Sequence, residues 1–404
     1  MQKISLLDFP SKCDVCLYIG FKPHFIKFLI KEVRKEFRTY KELGDYLSKR
    51  ALLYNLKISK GRDKIYAWLE RGRIPLWVVK EIVKLVKLNK ETIDKNVIFY
   101  GLWSSPINII KPRLPIKVTP TMASIVGHIM GDGCASDKYS MIYYAQHREE
   151  YTKLFAKKVE NIFGKFGKLK NKKFNLIKSR IYFKKEKKFK TFELKLPHFI
   201  KDIISDYYKI NKWGCKKIKI NNKLLNMDRY SKLAFITALI IDEGNVENSG
   251  VSIASTNYKF INGVDKIIKS LSYKSTIYRY KHNGEYFVVI KDIPKIYNDI
   301  KNLTKMYREL NLGVKGKKID LMVKIRKNKV KFDIKDSLIQ QLKKKESSIS
   351  ELQRDLLIRR DRLFYHIKKL ERSGLVKQSS KSEVFGGDET VWALNAYPST
   401  YARI

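Results

Sequence analysis

Two apolar stretches with the same ending stand out along the chain. Residues 125–133 read IVGHIMGDG and residues 236–244 read ITALIIDEG. Each stretch holds small residues inside an apolar run and ends in an acidic residue followed by glycine, which is typical of a buried helix with a C-terminal glycine cap. The same order of predicted elements follows both stretches, and the pair therefore indicates an internal duplication.

Alternation and helical periodicity predict the elements of each copy. The first copy is expected to contain a helix over 118–133, strands at 141–146, 180–184 and 191–196, and further helices at 149–163 and 198–208. In the second copy the predicted strands are 251–254, 276–280 and 286–291, and the predicted helices are 258–271 and 294–303. The copies are assigned to residues 117–228 and 229–310.

Residues 1–90 read as a short strand followed by an all-α unit. Its predicted helices are 23–36, 39–47, 62–71 and 76–88. This order resembles the helix-turn-helix of phage-repressor-like regulators, which implies DNA contacts by Lys64, Arg71 and Arg73. A plain helical bundle with a solvated basic face is the alternative. Residues 91–116 contain Pro106, Pro112 and Pro115 and are expected to form a linker.

A third unit is predicted over residues 333–404, after a basic linker at 311–332. Helices at 336–345 and 359–372 flank a capping-box start at 348–351, and a hairpin is expected at 375–378 and 391–394. This order predicts a winged helix, which would contact DNA through Arg359, Arg360, Arg362, Lys368 and, in the wing, Lys381. A protein-binding winged helix is the alternative. Each flank is expected to have its own core, so truncating either one should leave the repeats folded.

The charge of the chain points to a polyanionic partner. Its 404 residues include 85 Lys plus Arg against 40 Asp plus Glu, a formal net charge of +45. A lysine-rich thermophile surface normally brings glutamate along, and here acids are outnumbered two to one, so DNA or RNA binding is expected. The 44% of apolar residues allow a sizeable core and several domains.

The cysteines and the hydropathy of the chain give little information about its function. Cys13 and Cys16 form half of a possible zinc site, but no second such pair follows, and reduced thiols are favoured. The sequence shows neither a signal peptide nor an apolar run long enough to span a membrane, so a cytoplasmic protein is expected. A monomer is expected as well.

The two stretches resemble the motif helices of LAGLIDADG homing endonucleases in the single-chain, two-repeat form. Asp132 and Glu243 fall on the final acid of the motif, which in that family holds the catalytic metal. The residue two positions earlier is usually acidic but is Met130 or Ile241 here, and His128 replaces a usual apolar residue. The resemblance implies an α+β fold, in which a pseudo-twofold pair of repeats carries saddle-like antiparallel sheets between the helix-turn-helix and winged-helix flanks.

Small residues in the motifs suit close packing of two helices, namely Gly127 and Gly131 in the first and Thr237 and Ala238 in the second. Such packing would bring Asp132 and Glu243 together, and paired carboxylates suit Mg²⁺ or Mn²⁺ beside phosphates. By the resemblance, Gly131 and Asp242 would belong to the same metal site.

The resemblance implies further site residues. Gln146 matches a glutamine near the metals at the end of the first strand, where the second copy has Ser255; Lys195 and Lys291 match a lysine near the end of the last strand of each repeat. Basic and aromatic strand residues would face DNA: Arg180, Tyr182, Lys184, Lys185, Tyr278, Arg279, Tyr280 and Lys281.

The function expected from this resemblance is a site-specific, metal-dependent endonuclease that hydrolyses one phosphodiester on each strand of double-stranded DNA. Two alternatives stay open. One is a non-catalytic DNA-binding regulator with a degenerate motif, and the other is an intron maturase that binds structured RNA.

Overall fold

A computed structural model describes residues 2–57, 61–70, 72–102, 108–135, 141–167, 180–184, 187–214, 217–247, 250–280, 284–327, 334–356, 358, 360–384 and 387–395. No helix among these residues is long and apolar enough to cross a membrane.

The N-terminal part of the chain mixes helices with strands. Its elements are β1 (Lys3–Ile4), α1 (Ser11–Cys16), β2 (Leu17–Phe21), α2 (Pro23–Glu36), α3 (Tyr40–Ala51), α4 (Gly61–Glu70), β3 (Ile74–Pro75), α5 (Leu76–Val86), α6 (Lys90–Asn96), β4 (Val97–Leu102), β5 (Asn108–Pro112) and β6 (Ile116–Lys117). The predicted helices are present as α2 to α5. The expectation of an all-α unit is wrong, because β2, β3 and β4 pair in one antiparallel sheet.

The linker expected over 91–116 is also wrong. This segment contains α6, β4, β5 and β6, and β5 joins β4 to a strand of the first repeat. The three prolines suggested a linker, but Pro112 is the last residue of β5 and Pro115 precedes β6, positions where a missing N–H is tolerated. The N-terminal part is therefore built into the same sheet as the first repeat.

The first repeat consists of α7 (Pro120–Met130), β7 (Gly133–Cys134), β8 (Met141–Gln146), α8 (Glu149–Phe163), β9 (Gly164–Gly167), β10 (Arg180–Lys184), β11 (Lys187–Pro197), α9 (His198–Tyr208) and α10 (Asn222–Leu225). The second consists of α11 (Arg229–Glu243), β12 (Gly244–Glu247), β13 (Gly250–Ser255), α12 (Tyr258–Ser270), β14 (Ser275–Arg279), β15 (Tyr286–Ile290) and α13 (Ile293–Met306). We call α7 and α11 the motif helices.

The two repeats have the same sheet. The strand order is β10-β11-β8-β7 in the first and β14-β15-β13-β12 in the second, all antiparallel. The register also agrees, because Gly133 lies opposite Tyr144 and Gly244 lies opposite Ile253. The duplication is thus real, and each motif glycine opens a short strand, β7 or β12, that the sequence pattern did not predict. Strand β9 of the first repeat pairs instead with β5.

The basic linker expected over 311–332 is largely a helix, α14 (Val314–Lys327). Its Ile319, Met322 and Val323 are buried in the main core, and Tyr297 of α13 donates a hydrogen bond to Asp320 Oδ1 at 3.0 Å. The i, i+3, i+4 spacing of these apolar residues is the helical signal that the surrounding lysines obscured.

The C-terminal part contains α15 (Ile334–Lys344), β16 (Ser347–Ser348), α16 (Ile349–Leu356), α17 (Arg360–Arg372), β17 (Val376–Val384) and β18 (Gly387–Leu394). Its three-stranded antiparallel sheet has the order β16-β18-β17, and the hairpin is longer than predicted. Its core, from Leu338 to Trp392, is separate from the main core, which runs from Ile4 to Val323.

These two cores predict unequal effects of truncation. Deleting 1–90 removes β2 and β3 from the sheet that reaches β9 and exposes apolar surface of the main core, so the repeats should lose cooperative unfolding. Deleting 334–404 should leave the unfolding midpoint of the repeats almost unchanged. Circular dichroism melting of both truncations measures this, and equal tolerance of the two deletions would contradict the shared core.

A candidate active site where the two motif helices end

The motif helices pack in direct contact through glycine. A Cβ atom added at Gly127 would lie 2.7 Å from the Phe235 carbonyl oxygen and 2.8 Å from Ala238 Cβ, so only glycine fits there without a shift. At Gly131 an added Cβ would lie 2.9 Å from Asp242 Cβ. This spacing matches the small-residue contact predicted from the sequence for Gly127, Gly131 and Ala238. Thr237 is buried, and its hydroxyl donates to the Leu233 carbonyl within its own helix.

Three acids converge where these helices end. Asp132 follows the Gly131 cap of α7, whereas Asp242 and Glu243 are the last residues of α11. The Asp242 side chain is 0% exposed, while Asp132 keeps one side open to solvent. The backbone amide of Asp132 donates to the Asp242 carboxylate, which ties the two helix ends together.

Asp242 is held by side chains of the first repeat. Tyr144 donates to Asp242 Oδ1 at 2.7 Å, and His128 Nδ1 lies 2.9 Å from Oδ2. The Gln146 side-chain amide donates to Asp242 Oδ1 at 3.2 Å and also to Asp132 Oδ2. Gln146 therefore bridges acids from both repeats, at the place where the resemblance put it.

A fully buried lysine continues this network. Lys158 Nζ lies 2.7 Å from His128 Nε2 and 3.1 Å from Ser124 Oγ. Because a lysine amine next to Nε2 acts as the donor, His128 is assigned the tautomer that carries its proton on Nδ1 and donates it to Asp242. Burial lowers the pKa of His128 well below its usual value and the pKa of Lys158 to about 7, so both side chains lose much of their charge.

The carboxylates have unusually high pKa values. Burial, followed by the nearby charge of Asp242, raises the pKa of Asp132 to about 6. Burial and the charges of Asp132 and Asp242 raise the pKa of Glu243 to about 7. Burial also raises the pKa of Asp242 to about 7, although Tyr144 and Lys158 oppose the rise. Acids from different helices thus repel one another at one place.

Such a cluster suits a divalent cation, which would offset this repulsion. Carboxylate oxygens of Asp132 and Glu243 are the donors that Mg²⁺ and Mn²⁺ prefer, and Mg²⁺ is commonly bound by one or two carboxylates together with phosphates and water. Within the described ranges, no group of three or more His, Cys, Asp or Glu is arranged to hold a metal by itself. Asp132 and Glu243 could therefore hold such an ion only together with other oxygen ligands.

Lys195 and Lys291 do not occupy equivalent places. In the first repeat, Lys195 lies opposite Tyr143, the residue before the strand partner of Gly133. The equivalent position in the second repeat, counted from Gly244, is Val289, and Lys291 comes two residues later. The Lys195 ammonium lies 5.1 Å from the centre of the Tyr143 ring. The two lysines, which both come near the end of the last strand of a repeat, therefore differ by two residues in strand register, an offset that their similar sequence surroundings conceal.

The predicted DNA-contacting residues of the second sheet divide between its faces. Tyr278 is half-exposed and lies opposite Phe287, and Tyr280, also half-exposed, packs at 6.3 Å on the same Phe287 ring. Side chains alternate along a strand, so Arg279 projects from the opposite face, where its guanidinium lies 5.6 Å from the Tyr286 ring centre. An aromatic outer surface is therefore present, but Arg279 does not belong to it.

The other predicted DNA contacts are less fully described. Arg180, Tyr182 and Lys184 lie in β10 and Lys381 lies in β17, with only their backbone described. Four residues lie outside the described ranges: Arg71, Lys185, Lys281 and Arg359.

The flanking units place their basic residues unequally. Lys64 and Arg362 are exposed on α4 and α17, and Arg73 stacks 5.7 Å from the Phe99 ring centre. Arg360 and Lys368 form ion pairs with Glu389 and Glu371, so part of the charge expected to face DNA is engaged within the chain.

Sequence reasoning missed Lys158 and Lys315. Lys158 falls on the apolar stripe of α8 formed by Tyr151, Phe155 and Val159, which is a detectable signal for a buried lysine. Lys315 comes from the segment expected to be a linker, and burial lowers its pKa to about 8 although the three acids oppose that shift. Nothing in its sequence surroundings distinguishes Lys315 from the lysines beside it.

Residues 231–309 match the family model described as a LAGLIDADG-like domain. This match covers the second repeat, which contains the motif at 236–244, and supports the resemblance for that repeat. No curated protein matches the chain.

Solved structures to which the chain is similar include variants of the homing endonuclease I-DmoI, with 16% identity, a TM-score of 0.31, and coverage of 48% of this chain and 98% of that chain. I-DmoI in complex with DNA and Mn has 14% identity and a TM-score of 0.29, covering 46% of this chain and 96% of that one. Full-length DUF199/WhiA from Thermatoga maritima has 14% identity and a TM-score of 0.31, covering 63% and 90%.

The raised carboxylate pKa values predict a pH effect on stability. Glu243 has a pKa of about 7 when folded and 4.5 when unfolded, so the folded chain binds more protons between these values. Its contribution to stability therefore falls as pH rises from 4.5 to 7. Glu243→Gln removes this loss, and the gap in unfolding midpoint between variant and wild type should widen with pH across that window. Urea unfolding at several pH values, without divalent metal, measures the gap; a constant gap would contradict the raised pKa.

Proposed function

We propose that the chain, whose residues 231–309 match a LAGLIDADG-like domain, is a metal-dependent endonuclease acting on double-stranded DNA. The observation that carries the proposal is the convergence of Asp132 and Glu243 from two helices, close enough for the charge of one to raise the pKa of the other. A structural helix cap gains nothing from this repulsion, whereas a bound divalent cation would relieve it.

Asp132 and Glu243 would hold a divalent ion between the repeats, completed by the backbone carbonyls of Gly131 and Asp242. A bound Mg²⁺ or Mn²⁺ supplies Lewis-acid stabilisation of phosphate oxygens and a water of lowered pKa. Gln146 orients Asp132 and Asp242 through the two N–H groups of its amide, and its carbonyl oxygen can accept from a water beside them. Lys195 and Lys291 would neutralise phosphate charge on the DNA and would not assist the acids directly.

The buried network has a separate part in this proposal. Lys158, His128 and Tyr144 keep Asp242 inside the protein, and Asp242 in turn receives the Gln146 amide. Asp242 therefore holds the site together through its side chain, leaving Asp132 and Glu243 as the carboxylates available to a cation.

DNA would lie across the sheets of the two repeats. The outer face of the second sheet presents Tyr278 and Tyr280, and the first sheet takes β10 and the start of β11 from the most lysine-rich stretch of the chain, residues 164–190. The C-terminal part has the element order of a winged helix, and its exposed Arg362 lies on the helix that would enter a groove. In this proposal the flanks lengthen the recognised site.

A non-catalytic DNA-binding regulator is the second candidate. Its support is that Asp242 is occupied by Tyr144 and His128 and that Lys315 already places a positive charge near the acids. A chain that binds specific DNA but cuts none with Mg²⁺ or Mn²⁺ would be assigned to this class.

Salt dependence tests the nucleic-acid partner itself. With a net charge of +45, affinity for duplex DNA should fall by roughly 10³-fold or more between about 50 and 200 mM salt, because bound counterions are released from the phosphates. Fluorescence anisotropy with a labelled duplex measures the slope. A nearly flat series would exclude a phosphate-dominated interface.

Substitution of the two motif acids tests catalysis. Asp132→Asn and Glu243→Gln change charge with little change of shape, so each should abolish Mg²⁺-dependent cleavage while DNA binding stays equal or tightens slightly. Asp206→Asn, at an exposed ion pair on α9, serves as the control and should cut like the wild type. The measurement is cleavage of a randomised duplex library with Mg²⁺ or Mn²⁺, and full activity in either active-site variant would refute the assignment.

A further inference from the structure

The first turn of α14 crosses from one repeat to the other. On one side, the Lys315 backbone N–H donates to the Tyr151 hydroxyl of the first repeat at 3.3 Å. Gly313 adopts a φ of +55°, and a Cβ added there would lie 2.6 Å from Tyr151 Cε1. The close approach to the first repeat therefore depends on glycine, both for its backbone angle and for its missing side chain.

On the other side, the Lys315 side chain reaches the end of motif helix α11. Its Nζ donates to the carbonyl oxygens of Ile240, Ile241 and Gly244 at 2.9, 2.6 and 2.6 Å. An ammonium has three protons, so these three acceptors match its donors. The last carbonyls of a helix lack partners within it and carry partial negative charge, which makes a lysine a favourable cap.

We propose that Lys315 is a positioning residue of the active site: it fixes the turn of α11 that carries Asp242 and Glu243, and it supplies fixed positive charge beside the acids of both repeats. This inference rests on the proposed function of the acids as a cation site. It extends the functional unit beyond residue 309, where the family match ends, to α14.

The placement has a consequence for the acids. Without Lys315, three carbonyls at the end of α11 would lose their donor while three carboxylates would lose their nearby cation. Glu243 lies between Ile241 and Gly244, so its backbone is held on both sides by the same ammonium. The loss of the donor and the loss of the charge both act on the segment from Ile240 to Gly244. Both would therefore change the position and the electrostatic environment of Glu243.

The test is a double-mutant cycle between Lys315 and Glu243. Lys315→Met should lower the unfolding midpoint by roughly 4 °C or more, because partly buried carbonyls lose their donor. Lys317→Met, an exposed lysine of the same helix, is the matched control and should shift it little. In the Glu243→Gln background the loss caused by Lys315→Met should shrink, since fewer negative charges remain to be compensated.

A second variant at Lys315 and a measurement of the cleavage rate complete the test. Lys315→Gln retains two donors without the charge, and it enters the same cycle if Lys315→Met does not fold. With wild-type DNA affinity retained, Lys315→Met should lower the rate of Mn²⁺-dependent cleavage at least about tenfold, whereas Lys317→Met should not. A shift equal to that of Lys317→Met, or strict additivity with Glu243→Gln, would overturn the role of Lys315. Absence of cleavage by the wild type would refute the proposed function, while the cycle would still decide the role of Lys315.

Discussion

Contact between the two motif helices is the constraint on which the rest of the molecule depends. Gly127 lets the backbone of α7 approach Phe235 and Ala238, and Gly131 lets it approach Asp242. Any side chain at these positions would push the helices apart. Because the acids lie at the ends of these helices, the packing that buries the centre of the core also sets the distances between Asp132, Asp242 and Glu243.

Polar groups around the ends of the motif helices offset the unfavourable free energy of burying acids close to one another. His128 and Tyr144 satisfy Asp242 from the first repeat, and Lys315 caps the helix of the second from α14. Removing one partner from a buried polar network leaves the remaining groups unsatisfied, and this penalty exceeds the net stabilisation that the hydrogen bond itself provides. The site is therefore asymmetric although the sheets are duplicated, since each repeat contributes different side chains to it.

Much of the fold and part of the site could be predicted from the sequence. Short-range patterns carried the information: alternation at β8, helical spacing in α8 and α12, and repetition of the acid-glycine ending. The acids Asp132 and Glu243 and the bridging Gln146 were expected because the two motifs resemble those of a known family, in which residues at these positions lie near the metal.

Other features depend on contacts that no local pattern records. The pairing of β5 with β9 makes a sheet from segments far apart in sequence, and the prolines nearby suggested a linker. The offset between Lys195 and Lys291 appears only in the strand register, where a two-residue change leaves the side-chain face unaltered. Lys315 is one of several lysines in its segment, and only tertiary packing distinguishes it.

The most direct measurement of the central claim is the position of a bound metal. Crystals of the full chain with duplex DNA, soaked in Mn²⁺ and measured at the manganese absorption edge, report metal positions independently of activity. The account predicts an anomalous peak between the carboxylates of Asp132 and Glu243, at the ends of α7 and α11, that disappears in Asp132→Asn. An empty junction in wild-type crystals at saturating Mn²⁺, or a peak bound only elsewhere, would contradict it.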